Sequence, residues 1–324
     1  MQALYFQKNG TPSDVIEFGN IERPRPSENE VLVKTLAAPI NPADFLFIEG
    51  RYRVKSVFPQ TAGLEGAGLV EDTGPGVPLE KGALVSFRHK GSWAQYVLVP
   101  TDKLFKLPSA FPVEKAAQFS LNPLTAWALL HEARPAPGDW LLVTAGQSAV
   151  SKIITQLAKK RGVHVIATVR SQEQGPELLR LGATQVIVTD GAPFAQDVLA
   201  MTGGRGVAAA LDAVGGKTGT EIINCIGVNG RIILYGLLSP DSVQFHNADV
   251  IMKLASIQGF GLDYWLSRAN VSVKETMLAE LVEALQQPGF EMPVAGQFSL
   301  QQYREAIESS KEKAWKGKSL FCFD

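Results

Sequence analysis

The chain is 324 residues long, 45% hydrophobic and 19% charged, the balance of a folded globular protein with a large core, and too apolar to be read as disordered. Its 31 basic against 32 acidic residues argue against a nucleic-acid-binding face, and no apolar run reaches the roughly 20 residues a membrane-spanning helix needs. Two cysteines, Cys225 and Cys322, exclude a disulfide framework and a four-cysteine zinc lobe. The opening MQALYFQKNG lacks the basic flank and small-residue cleavage site of a signal peptide and reads as a first strand, so a cytoplasmic location is expected.

Residues 1 to 118 alternate short apolar runs (Ala3 to Phe6, Glu30 to Leu36, Gly66 to Asp72, Leu84 to Phe87, Ala94 to Pro100) with Pro and Gly. That spacing predicts a small β-barrel domain. Helical patterning begins at Pro112 to Phe119, resumes at Asn122 to Ala133, and leads into the turn signal Pro137-Gly138-Asp139.

Trp140 to Thr144 suits a parallel strand buried on both faces. Ile153, Ile154, Leu157 and Ala158 then recur at helical spacing, with Lys152, Lys159, Lys160 and Arg161 on the polar side and Gly162 as the stop. His164 to Val169 is a second, β-branched run, so the three pieces form a right-handed βαβ crossover. A phosphate belongs at the start of its helix, where free N–H groups and the positive end of the helix dipole point. The G-x-G-x-x-G spacing of a dinucleotide loop falls on Gly146, Ser148 and Ser151 and keeps only the first glycine. Gly146 can make the tight turn, the Ser148 hydroxyl can donate to a phosphate oxygen, and Ala149 and Ser151 are small enough for close packing. A structural turn without ligand is the competing reading. At the end of the second strand an NAD site wants Asp or Glu, whereas this chain has Arg170 and Ser171, the next acid being Glu173. A guanidinium and a hydroxyl suit a 2′-phosphate, so NADPH is the expected cofactor; a solvated arginine closing the strand is the alternative.

After Arg170 the alternation continues: helix Pro176 to Leu181, strand Val186 to Val188, helix Phe194 to Met201, strand Val207 to Ala213, helix Lys217 to Ile226, and strands Arg231 to Tyr235 and Ile257 to Phe260. This predicts a doubly wound parallel sheet whose ligand groups come from the loops after its strands. Those loops are Gly146 to Val150, Arg170 with Ser171, Ala213 to Gly216, Tyr235-Gly236-Leu237 and Gly259-Phe260-Gly261. Helices at Val273 to Gln286 and Leu300 to Ser310 then precede a final strand, Ser319 to Phe323, that returns to the first domain. The expected domains are residues 1–118, 119–261 and 262–324, the last completing the first.

The chain resembles the medium-chain dehydrogenase/reductase superfamily, and within it the zinc-free branch of quinone oxidoreductases and 2-enoyl thioester reductases. The resemblance covers nearly the whole sequence. It is carried by Ile40-Asn41-Pro42-Ala43-Asp44, Glu49-Gly50-Arg51-Tyr52, Gly63-Leu64-Glu65-Gly66-Ala67-Gly68, Gly91-Ser92-Trp93, Asn122-Pro123-Leu124-Thr125-Ala126, the Gly146 to Val150 loop, and Leu181-Gly182-Ala183-Thr184. It implies a GroES-like catalytic domain interrupted by a Rossmann domain, dimeric through the Rossmann sheet edge. The metal-dependent branch carries a cysteine near Asn41 to Asp44 and a His-Glu pair where this chain has Leu64-Glu65, and its three zinc ligands are missing here. His89, His131, His164 and His246 are dispersed.

What remains is hydride transfer from NADPH to an acceptor that is already electrophilic, an α,β-unsaturated carbonyl or a quinone. The resemblance implies Tyr52 as the donor to the developing enolate, the alternative being a tyrosine that packs over the nicotinamide. It places Asn41 at the nicotinamide or acceptor, Asn122 and Thr125 near the cofactor, and Trp93 in the substrate cleft; apart from the resemblance, Trp93 reads as core and the others as helix caps. Ser148-Ala149-Val150, Gly91-Ser92-Trp93 and Asn122 to Ala126 favour the enoyl thioester acceptor over the quinone. A dinucleotide-binding sensor without turnover is the reading from another class.

Overall fold

The computed structural model describes residues 1–189 and 192–323. They divide into two units, Met1–Asn122 with Met292–Asp324, and Pro123–Glu291. The first unit opens with β1 (Gln2–Phe6), α1 (Pro12–Val15), β2 (Glu17–Asn20), β3 (Glu30–Pro39), α2 (Pro42–Ile48), β4 (Gln60–Thr61), β5 (Gly66–Thr73), β6 (Leu84–Phe87), β7 (Tyr96–Pro100), β8 (Leu104–Lys106) and α3 (Val113–Ala117). β3 alternates, so that Val31 and Val33 point into a core with Val70, Val85, Phe87, Val97 and Val99. It is flanked antiparallel by β5 and β7, and β5 continues through β6 to β8. β1, β2 and β4 form a separate small sheet over a second core around Phe6, Phe47 and Trp93. β2 is mostly exposed and contains Gly19, and β4 is two residues long, so neither carries the alternation that reveals a strand in sequence.

The second unit begins inside helix α4 (Asn122–Ala133) and continues as β9 (Trp140–Val143), α5 (Ala149–Lys160), β10 (His164–Val169), α6 (Gly175–Leu181), β11 (Gln185–Val188), α7 (Ala195–Met201), β12 (Val207–Asp212), α8 (Gly216–Cys225), β13 (Ile226–Leu234), α9 (Asn247–Lys253), β14 (Ser256–Gly259), α10 (Leu262–Arg268) and α11 (Val271–Gln286). The strands pair in parallel in the order β11-β10-β9-β12-β13-β14. The order reverses beside β9, the arrangement of a doubly wound sheet, with its ligand crevice at the carboxyl ends of the strands.

The unit runs to Glu291 and so includes α10 and α11, which the sequence reading places with the return to the first domain. Trp127 Nε1 donates to Glu280 at 2.7 Å, Trp265 Nε1 to Glu132 at 2.7 Å, and Lys160 pairs with Glu283 at 2.9 Å. α11 buries Met277, Leu281, Ala284 and Leu285. Pro288-Gly289 and Pro293 stand at the change of unit near position 291, but the partnership of side chains far apart in sequence is invisible to periodicity.

The first unit is completed by β15 (Val294–Phe298), α12 (Tyr303–Glu312) and β16 (Lys318–Cys322). β16 pairs antiparallel with β3 in a register that sets Leu320 opposite Pro39, and Ile40 N donates to Ser319 O at 2.9 Å. Lys318 is thereby delivered to the start of α2. The first unit is a GroES-like domain and the second a Rossmann domain. Among the described residues, no helix is long and apolar enough to cross a membrane.

Candidate active site

The candidate dinucleotide loop of the Rossmann unit is built where β9 turns into α5. Gly146 is buried, and a Cβ added there would lie 2.7 Å from Leu178 Cδ1 and 2.9 Å from Thr168 O. Its N–H donates to that same Thr168 carbonyl at 2.7 Å, which pins the loop to β10. Only glycine permits this approach. Ser148 is the N-cap of α5, its oxygen accepting from Ser151 N at 3.2 Å. Its hydroxyl lies 2.9 Å from Ser151 Oγ, so in this arrangement it serves the helix cap that the sequence reading offers to a phosphate. Ser151 stands at the third glycine position and is fully buried; its Oγ donates to Thr144 O at 2.9 Å, tying strand end to helix start. Ala149 and Val150 open α5, where backbone N–H groups have no intrahelical acceptor.

Tyr235, just past β13, reaches the same point, with its hydroxyl 3.3 Å from Ser151 Oγ. Burial pushes the phenol up to about 12, beyond the opposing effect of Ser151, so it stays protonated. Gly236 lets the loops after β12 and β13 touch, since a Cβ there would lie 2.5 Å from Ala213 O. Asp212 shapes the loop after β12, accepting from Thr144 Oγ1 at 2.8 Å, Val214 N at 2.9 Å and Gly215 N at 3.0 Å. Phe260 N donates to Leu234 O at 2.9 Å, which holds Phe260 beside the end of β13.

Arg170 and Ser171 are exposed at the carboxyl end of β10. Arg170 N donates to Gln174 Oε1 at 3.1 Å, and Gln147 Nε2 donates to Gln174 O at 2.6 Å. The phosphate loop and the Arg170 turn are thus one connected surface. Gln147, Gln174 and Asp212 carry no signal in the sequence because each acts through hydrogen bonds to loops elsewhere in the chain. Gln147 Oε1 is buried without a partner, as is Asn122 Nδ2 at the start of α4, while Thr125 follows one turn later with partial exposure. A cradle that excludes a Cβ and the orphaned buried Oε1 of Gln147 fit a dinucleotide.

In the GroES-like unit the candidates separate. Tyr52 is partly buried against the Phe47 core, and Arg53 donates to its hydroxyl at 3.4 Å with the guanidinium 5.4 Å from the ring centre. Trp93 is fully buried, edge-on to Phe321 at 5.1 Å, with Nε1 donating to Pro39 O at 3.3 Å. In this structure Trp93 packs as a core residue of the GroES-like unit.

Asn41 is held by charged partners inside the GroES-like unit. Its amide is 2% exposed, Nδ2 donates to Glu65 Oε2 at 2.9 Å, and Oδ1 accepts from Lys318 Nζ at 2.6 Å. One end therefore holds a carboxylate and the other an ammonium. Asp44 Oδ2 accepts from Asn41 N at 2.6 Å, and Ser120 Oγ lies 3.2 Å from Glu65 Oε1 and 2.8 Å from Phe87 O. Desolvation dominates the electrostatics here. It raises Asp44 to about 7 against the Asn41 and Leu64 amides and the Lys318 charge, with Glu65 adding to the rise. It raises Glu65 to about 7 against hydrogen bonds from Asn41, Ser120 and Leu121 and the charge of Lys318. The same desolvation lowers Lys318, outweighing both carboxylates. Asp44 and Glu65 sit inside motifs that the sequence displays; Lys318 gives no sequence signal, because only the β3–β16 register brings it to Asn41.

Three of the four dispersed histidines have structural partners. His131 stacks on Trp127 at 5.1 Å, His164 lies 4.9 Å from Trp140, and His246 Nδ1 accepts from Ala248 N at 3.1 Å. Among the described residues no group of three or more His, Cys, Asp or Glu is placed to hold a metal ion.

Comparison with known proteins agrees with this architecture. A family model described as alcohol dehydrogenase GroES-like domain matches residues 27–109, and one described as zinc-binding dehydrogenase matches residues 149–279. The mitochondrial enoyl-[acyl-carrier-protein] reductase of Xenopus tropicalis is 30% identical over 96% of this chain and 92% of its own length. A solved putative NADPH:quinone reductase from Bacillus thuringiensis is 32% identical with a TM-score of 0.89, covering 100% of this chain and 99% of its own. A mycobacterial protein solved in complex with NADPH is 28% identical with a TM-score of 0.87 over 100% of both chains. The chain belongs to the medium-chain dehydrogenase/reductase superfamily of oxidoreductases, in its zinc-independent branch.

Proposed function

We propose that the chain is an NADPH-dependent reductase that transfers hydride to an activated C=C bond, with a 2-enoyl thioester or related α,β-unsaturated carbonyl as acceptor. The observation that carries the cofactor choice is the exposed Arg170-Ser171 pair, held by Gln174 and Gln147 to the phosphate loop where a ribose diol would need an acid. Arg170 and Ser171 would take the 2′-phosphate, and the open N–H groups of Ala149 and Val150 the pyrophosphate. Bound there, NADPH supplies the hydride.

When hydride adds to the β-carbon of an enoyl acceptor, charge collects on the carbonyl oxygen and a proton is needed at the α-carbon. Tyr52 is assigned as the donor to that oxygen; one such hydrogen bond contributes about 3 kcal/mol to the transition state. The thioester is favoured by the enoyl-[acyl-carrier-protein] reductase relatives, and a quinone acceptor by neighbours described as NADPH:quinone reductases. A homodimer is also inferred. β14 is the last strand of its sheet and is exposed throughout, and Leu237 at 95% and Met252 at 78% exposure lie in the neighbouring segments. A second copy laid along this edge would pair its free backbone groups.

The test follows the absorbance of NADPH with crotonyl or hexenoyl thioester in one cuvette and 1,4-benzoquinone in another, with NADH controls. Thioester turnover that falls about 100-fold in Tyr52→Phe is expected. Turnover with quinones alone, indifferent to Tyr52, would move the chain to the quinone reading, and NADPH binding without turnover would make it a sensor.

A further inference from the structure

The cluster beneath Asn41 is costly. Two carboxylates and an ammonium have been taken out of water, and buried charges bridged by the Asn41 amide are weak grounds for stability, because hydrophobic residues of similar volume can often replace such groups at no loss. What the cluster does hold in place is specific. Glu65 accepts from Asn41 Nδ2 on its Oε2 and lies within 3.2 Å of the Ser120 hydroxyl on its Oε1, and the Leu121 amide also favours its ionised form. Ser120 and Leu121 are the two residues before Asn122, whose 6% exposed side chain keeps Nδ2 without a partner. Lys318 closes the other side, donating to Asn41 Oδ1 from the far end of the chain. A carboxylate thus grips two segments at once, the start of α2 and the start of α4, and an ammonium fixes the amide between them.

We propose that Glu65 and Lys318 are positioning residues for hydride transfer: joined through the two ends of the Asn41 amide, their opposite charges lock that amide and hold the Ser120-Leu121 turn that presents the free Asn122 amide. The inference rests on the NADPH reductase reading. Its physical content is that the paired, ionised state is the active one. The groups that face the pair are Asp44 on α2, Asn41 and Leu64 in the flanking loops, and Ser120 and Leu121 before α4. Of these only Asp44 titrates. It shares the upward shift of Glu65 but takes no part in the grip; protonation of Glu65 on acidification dissolves it, and the rate falls as pH drops through about 7.

The experiment uses the full chain and whichever acceptor the wild type reduces, and measures kcat, KM and the NADPH dissociation constant from pH 6 to 9. Glu65→Gln keeps the shape of the side chain without its charge, Lys318→Met keeps the stem, and Lys318→Arg keeps the charge. The expected result is a loss of kcat of tenfold or more in Glu65→Gln and Lys318→Met, with NADPH affinity within threefold of wild type. The acid limb of the wild-type profile disappears in Glu65→Gln, and Lys318→Arg restores most of the rate. Wild-type kcat and an unchanged acid limb in folded Glu65→Gln would overturn the inference, as would a lowered melting temperature with kcat intact. If Lys318→Met does not fold, Glu65→Gln and Lys318→Arg decide. A wild type that binds NADPH yet reduces no enoyl thioester or quinone refutes the reductase reading itself, and the positioning role falls with it.

Discussion

Gly146→Ala is the sharpest test of the phosphate loop. The added methyl would sit 2.7 Å from Leu178 Cδ1, 2.9 Å from Thr168 O and 3.2 Å from Ala167 Cβ, where a comfortable carbon contact is about 3.5–4.0 Å. Leu178 is fully buried and cannot swing away, and the Thr168 carbonyl lies on β10, paired on both sides by β9 and β11. The loop must therefore lift by about 1 Å, stretching the 2.7 Å Gly146 N to Thr168 O bond and moving the first amides of α5. Overpacking of this kind costs about 1–3 kcal/mol, which in a chain of this length lowers the melting temperature by roughly 2–5 °C. The displaced amides should weaken NADPH about tenfold or more, since each tenfold is about 1.4 kcal/mol. Fluorescence titration with NADPH and thermal unfolding read both effects. Gly289→Ala is the control, because a Cβ there meets nothing within 4 Å and the backbone is not left-handed. If Gly146→Ala matches the control in both measurements, the close-approach argument is wrong.

Arg170→Glu should erase the preference for NADPH over NADH, with kcat/KM for NADPH falling about 10- to 100-fold, the worth of a charge-assisted bond, while NADH is unaffected or improved; steady-state kinetics with both cofactors decides. Asp44 gives a stability prediction with a definite sign. Its folded value of about 7 lies above its ordinary 3.8, so between roughly pH 4 and 7 the folded protein holds a proton that the unfolded chain has lost, and stability rises as pH falls through that window. Urea unfolding at pH 5 and pH 8 should show this slope in the wild type and a shallower one in Asp44→Asn. Ile257→Lys, on the β14 edge, should convert a dimer to monomer in analytical ultracentrifugation without loss of NADPH binding.

The doubly wound sheet was legible because its strands are continuous apolar runs and its helices amphipathic, signals that survive without tertiary context. Gly146 and Arg170 were legible as positions in a βαβ unit, since strand, turn and helix are contiguous. What the serines do there was not. Ser151 looks like a degraded glycine until its hydroxyl is seen returning to Thr144 and its neighbour proves to be Tyr235, 84 residues away. The GroES-like unit was harder. Asn41 and Trp93 were found by resemblance, but resemblance carries no burial, and both side chains lie inside the domain. Lys318 lay beyond reach, since a lysine before an apolar strand reads as a strand end until the register of β16 on β3 is known. The place of residues 262–291 with the Rossmann unit is illegible for the same reason: the partners of α10 and α11, Trp127, Glu132, Lys160 and Arg161, are more than 100 residues upstream.

The measurement that tests the central claim most directly is the fate of the hydride. NADPH carrying deuterium at the transferable C4 position is mixed with the protein and crotonyl thioester in ordinary water, and the product is examined by mass spectrometry and NMR. The account predicts one deuterium at the β-carbon and an unlabelled, solvent-derived proton at the α-carbon, at a rate that falls with Tyr52→Phe. Deuterium at the α-carbon, or a thioester recovered unreduced while quinones are consumed, would contradict it.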